Sequence, residues 1–205
     1  MKHAPLTVLL VLVLVNAGWA QKGGLSGREG HARTRFPLAV RAAPFDDVFE
    51  RVVARVVADW NTLTQEVLDV RAFGLVGGPD HADVTIAIGP RMSVREAAGI
   101  AKAHAGADRE IIRPVRITVF GPPVENVSLA IDREARLYRV IAHELGHALG
   151  LSHVDDLRSL MCCVHWPTDR SNLLALWEAQ RRPDVRSVRD QLAEHYADFW
   201  AMDVP

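Results

Sequence analysis

The chain has 205 residues, enough for one domain with a sizeable core. Hydrophobic residues make up 49% of it, which excludes wholesale disorder. The formal net charge of −1 provides no global field for a polyanion, so no nucleic-acid partner is expected.

The first residues, MKHAPLTVLLVLVLVNAGWA, carry a basic start at Lys2 and an apolar run from Leu6 to Val15. Gly18 and Ala20 are spaced as a cleavage site requires. This pattern predicts a signal peptide over residues 1–20, cut after Ala20. Its apolar run is about half the roughly 20 residues of a spanning helix. The mature protein is therefore expected to be secreted or periplasmic, without stable membrane association, and a monomer. Residues 21–35 are glycine-rich, basic and aperiodic, and read as a flexible leader before a single domain over 36–205.

Phe36–Ala42 reads as a first strand. Pro44 and Asp46–Asp47 offer a helix start. Beyond them Val48, Val52, Arg55–Val56, Asp59–Trp60 and Leu63 trace a stripe with helical spacing, with charges on the other face. Glu66–Phe73 alternates and is expected to be a second strand. Ala82–Gly89 is a nearly continuous apolar run, which suits a strand buried at the middle of a sheet. The weakly patterned AAGIAKAHAG (residues 97–106) is either an edge strand or a loop. Pro114–Gly121 alternates cleanly and reads as a strand. A helix should start near Asp132, with Val140, Ile141, Leu145, Ala148 and Leu149 as apolar anchors. A loop containing Met161 follows, then TDRSNLLALWEAQRRP and a terminal helix in SVRDQLAEHYADFWAM.

Chemistry concentrates in IAHELGHALGLSH, Ile141–His153. His143 and His147 are four residues apart, so one helix face presents both imidazoles. Glu144 projects about 100° round the helix from His143, within reach of a water on a metal held there. Gly150 can take the left-handed conformation that ends a helix, which would return His153 as a third nitrogen donor. Three histidines leave one tetrahedral position open, the arrangement of a catalytic zinc. With nine histidines in the chain, a chance H-E-x-x-H has a probability of about 2% over the whole sequence, and Gly150 and His153 reduce it greatly.

HELGHALGLSH resembles the H-E-x-x-H-x-x-G-x-x-H signature of the metzincin zinc peptidases. Met161 lies eight residues beyond the third histidine, a spacing most similar to the matrixin branch. The resemblance implies an α+β fold: a twisted mixed sheet of about five strands, a long first helix, an active-site helix, a methionine turn and C-terminal helices. It implies His143, His147 and His153 as ligands of one catalytic zinc ion, and Glu144 as general base and then acid. Met161 would form a hydrophobic floor and bind no metal. The substrate class implied is protein or peptide, with AAGIAKAHAG as the strand that would hold it.

His81, His104, His165 and His195 lack a compact ligand spacing, so a second zinc is not supported. No aspartate-rich loop supports calcium. Cys162 and Cys163 do not make a disulfide framework; they read first as packed thiols, with a strained vicinal disulfide or intermolecular pairing as the alternatives. The segment WPTDRSNLLALWEAQRRPDV lies where matrixins build a pocket wall. Two other readings stay open at this point. One is a zinc hydrolase acting on non-peptide or modified-peptide amides. The other is a non-enzymatic, zinc-stabilised peptide-binding module, against which Glu144 speaks.

Overall fold

The computed structural model describes residues 25–78, 81–90, 99–120, 133–162 and 184–202. Five strands form one sheet: β1 (Leu38–Ala42), β2 (Phe73–Leu75), β3 (Val84–Gly89), β4 (Gly99–Ala105) and β5 (Ile111–Phe120). Among the described residues three α-helices accompany them: α1 (Asp47–Leu68), α2 (Arg133–Ala148) and α3 (Arg189–Ala201). The strand order is β2-β1-β3-β5-β4. Every neighbouring pair is parallel except β4 with β5. This is the mixed five-stranded α+β architecture the sequence implied.

Helix α1 starts because the Asp46 carboxylate accepts the Phe49 N–H at 2.8 Å, satisfying one orphan donor of the first turn. Its stripe is buried as expected at Val52, Val56, Trp60 and Leu63, whereas Val48 and Asp59 are half-buried and Arg55 is exposed. Phe49, Val53, Val57 and Leu68 join them. Trp60 is fully enclosed, and its indole N–H donates to the Ala142 carbonyl of α2 at 3.1 Å. One contact thus both packs and satisfies the largest side chain between the two helices.

The second strand falls later than expected. Glu66–Leu68 belong to the last turn of α1, and Asp69, at φ 54°, ends the helix in the left-handed region. Helical spacing at Leu63, Thr64 and Leu68 outweighs the alternation of residues 66–73. The chain then re-enters through side-chain hydrogen bonds. Ala72 N–H donates to Thr64 Oγ1 at 3.2 Å, and Asn61 brackets Phe73 through both its amide atoms. Only Phe73–Leu75 remain for the strand.

β3 is the middle strand, as its apolar run indicated, although one of its faces is only partly buried. Residues 99–105 resolve the ambiguity of AAGIAKAHAG: they are a strand, at the sheet edge. β5 begins three residues before the expected Pro114.

The stretch expected to be a flexible leader is packed from Leu25 onward. Gly30 forms a parallel bridge with Glu110, and His31 is completely buried. The His31 ring donates to the Ala148 carbonyl, and the Trp200 indole N–H donates to the His31 carbonyl. Glycine content concealed these contacts. Gly30 lies so close to the Phe199 ring that an added Cβ would sit 3.0 Å from it.

Candidate metal centre

The end of α2 is built by local rules. The Leu151 N–H reaches the Gly146 carbonyl and the Gly150 N–H reaches the His147 carbonyl, both at 3.0 Å. With Gly150 at φ 93°, this is the Schellman arrangement. The Cβ of any other residue at Gly150 would meet the Glu29 carbonyl. The last orphan carbonyls find side-chain donors instead of water. Ala148 O accepts from His31 at 2.9 Å, and Leu149 O from the Tyr196 hydroxyl at 3.0 Å. The turn so fixed brings His153 back toward the helix.

His143, His147 and His153 do converge: each offers one donor atom, all within 4.8 Å of one another. The Nε2 of His143 stands 3.1 Å from that of His147 and 3.1 Å from that of His153. The other ring nitrogens settle the tautomers. His143 Nδ1 lies 2.7 Å from the Leu160 carbonyl, and His147 Nδ1 lies 2.8 Å from the Leu151 carbonyl. A carbonyl can only accept, so both Nδ1 atoms carry the proton. Both Nε2 atoms therefore present lone pairs to each other. Lone pairs facing at 3.1 Å repel unless a cation lies between them. Burial, the larger cause, and the neighbouring imidazoles push the His143 ring down to about 3. Burial pushes the His147 ring down to about 4, and lowers His153 as well. A proton does not hold this cluster together at neutral pH. Three neutral nitrogen donors fit zinc and leave it an open position. Among the described residues no other cluster of three or more potential ligands occurs.

Glu144 is 5% exposed, beside the histidines but outside their set. Burial pushes its carboxyl up to about 7, offset in part by a hydrogen bond from the Ala101 N–H of β4. The approach of β4 is close. A Cβ at Gly99 would lie 2.8 Å from Glu144 Oε1 and 2.6 Å from Val140 Cγ1. Gly99 and Ala101 fall in the stretch expected to hold a substrate, but their approach to Glu144 was not foreseen. Their stretch is small and weakly patterned, and small size is the only trace a close approach leaves.

Met161 is fully buried beneath α2. A Cβ at Gly146 would come 2.5 Å from its sulfur, so Gly146 of the motif is the recess for the methionine. The turn around it is held by Ser159 Oγ, which accepts the Met161 N–H at 3.0 Å, and by the Val154 N–H on the Met161 carbonyl at 3.0 Å. The same turn supplies the Leu160 carbonyl to His143, so the floor also orients a donor.

The expectation of packed thiols needs correction at Cys162, which is buried but disulfide-bonded. Cys163, His165 and most of the expected pocket-wall segment lie outside the described residues. His81 and His104 stand apart from the centre, whereas His195 packs near Gly150. No helix among the described residues is long and apolar enough to cross a membrane.

Comparison with known proteins agrees with this geometry. A family model described as Matrixin matches residues 56–178. Interstitial collagenase from Sus scrofa is 66% identical over 29 residues, which is 14% of this chain and 6% of that protein.

Proposed function

From its membership of the matrixin family, to which the chain belongs by the match over residues 56–178, we propose that it is an exported zinc-dependent endopeptidase. The observation that carries this reading is the pair of Nε2 lone pairs converging at 3.1 Å with the buried Glu144 carboxylate alongside. His143, His147 and His153 would hold one zinc ion. When bound, zinc acidifies a water and polarises a carbonyl.

The remaining steps belong to the chain. Glu144, whose burial holds its carboxyl near neutrality, accepts the proton of the attacking water and later delivers it to the leaving amine. A base poised near the working pH can do both. The Ala101 N–H fixes the carboxylate against the sheet edge, where a peptide in extended form can pair with β4. Met161 and Leu160 keep the donors in place from below. The predicted signal peptide over residues 1–20 supports export, and substrates would be proteins or peptides outside the cytoplasm.

Glu144→Ala tests the reading. Wild type and variant are expected to bind zinc alike, while only wild type cleaves an unstructured protein such as casein. Equal cleavage by both would overturn the role given to Glu144.

A further inference from the structure

The sheet face turned away from the helices carries one transverse row of basic residues. Arg41 pairs in register with Thr85, Thr85 with Arg116, and Arg116 with Lys102. Residues in register share a face. The neighbouring register row, Ala42, Ile86, Ile117 and Ala101, points to the core side. Lys102 and Arg116 are therefore directly opposite each other on adjacent strands, and both are exposed. Like charges in that position are unfavourable. Other cations of the same region are neutralised: Arg113 by Asp83 at 2.6 Å and Arg35 by Glu110 at 3.1 Å. Lys102 and Arg116 have no carboxylate partner among the described residues.

The row ends at an edge, and that edge is the one beside the general base. β4 is the last strand of the sheet, and its Ala101 N–H bonds Glu144. Lys102 is the next residue along. A peptide that pairs with β4 becomes a sixth strand, and its residue opposite Lys102 extends the row on the same outer face. We infer that this row makes the enzyme select substrates with an aspartate or glutamate at the position paired with Lys102, close to the scissile bond. This rests on the peptidase reading and adds its charge preference. An acidic side chain there meets Lys102 directly and Arg116 one strand further, removing the like-charge conflict. A lysine there would lengthen it. Four strands span only about 14 Å, which suits one or two carboxylates of an extended peptide. It is short for the several phosphate contacts a nucleic acid needs.

The test uses the zinc-loaded full chain. A peptide library first locates the cut in a neutral scaffold. Peptides carrying Glu, Gln or Lys at each flanking position are then compared by kcat/KM. One position should favour Glu over Lys by about three- to tenfold at low ionic strength, shrinking in high salt. The Lys102→Glu enzyme should reverse that ratio, Lys102→Gln should flatten it, and Arg116→Glu should weaken it less than Lys102→Glu. A ratio absent at every position, or unmoved by Lys102→Glu, overturns the inference. So does a flat ratio with short duplex DNA bound by wild type and not by Lys102→Glu, which would assign the row to nucleic acid. If the enzyme cuts peptides without charge preference, this inference falls alone. If it cuts none, the peptidase reading falls with it.

Discussion

Tyr196→Phe removes one hydroxyl at the end of α2, with the two backbone contacts it makes. Tyr196 is fully buried, and its hydroxyl donates to the Leu149 carbonyl at 3.0 Å. Leu149 is itself fully buried, so water does not replace the lost donor. The substitution removes one oxygen and leaves the ring, which packs against Phe36, Phe199 and Trp200. No sizeable cavity forms, so the transfer and cavity costs of a truncation stay small. What remains is the buried Leu149 carbonyl without its donor and the His31 N–H without its acceptor, a cost of about 1–3 kcal/mol for each group so left. For a domain of this size that corresponds to a fall in Tm of roughly 2–4 °C per kcal/mol. The assay is urea unfolding of the zinc-loaded protein at neutral pH, with the midpoint and slope fitted together. The midpoint should fall with the slope unchanged. A loss below about 0.5 kcal/mol, within the range of ordinary surface substitutions, would refute the argument that this carbonyl depends on Tyr196.

Other substitutions and conditions probe the remaining parts. Gly99→Val places a side chain against Glu144 and Val140; kcat should fall on the order of 10²-fold, as for a misplaced catalytic group, with zinc content unchanged. A chelator should abolish cleavage and lower the Tm, and added zinc should restore both. At a free zinc concentration 1,000 times its Kd the linkage is worth about 4 kcal/mol. Burial, more than the nearby Arg113, holds the His31 imidazole below its ordinary value, against the pull of the Ala148 carbonyl, Glu110 and Asp83. The folded state therefore resists protonation, and the unfolded chain takes up the proton first once the pH drops below about 6.5. Stability from His31 is complete above that pH and is lost as the pH falls toward the folded value. His31→Gln should flatten this part of a Tm-against-pH curve for the zinc-loaded protein; an unchanged acid slope would show that His31 does not contribute to it.

The convergence of the three histidines was legible because helical spacing and a single glycine turn determine it locally. His143 and His147 are fixed by one turn of α2, and His153 by the Schellman end at Gly150. The long helix α1 was legible for the same reason, since its buried stripe repeats within one element. What sequence patterns did not reveal depends on side-chain contacts that reach beyond a single helix or strand. The boundary near Leu68 was decided by Asn61 and Thr64 reaching forward to Ala72 and Phe73. The packing of residues 25–31 rests on partners more than a hundred residues away, Ala148 and Trp200. Alternation in residues 66–73 and glycines in residues 21–35 are weak local signals, and tertiary contacts override them.

Three glycines around the centre show the difference between local and distant causes. Gly150 is required by its own backbone, at φ 93°, so any other residue is strained there whatever surrounds it. Gly146 has ordinary helical surroundings and is required by Met161 below it. Gly99 is required by Glu144 and Val140 from a different element. Only the first follows from the motif as a rule about chain geometry. The other two are rules about approach, and they predict different rescue. A Gly146→Ala variant gains helix propensity of about 1 kcal/mol but crowds the methionine sulfur, so a smaller residue at 161 should recover part of its loss. No change at 161 should relieve Gly150→Ala, whose strain lies in its own backbone and whose Cβ meets the Glu29 carbonyl. Equal rescue of both by Met161→Ala would contradict this division.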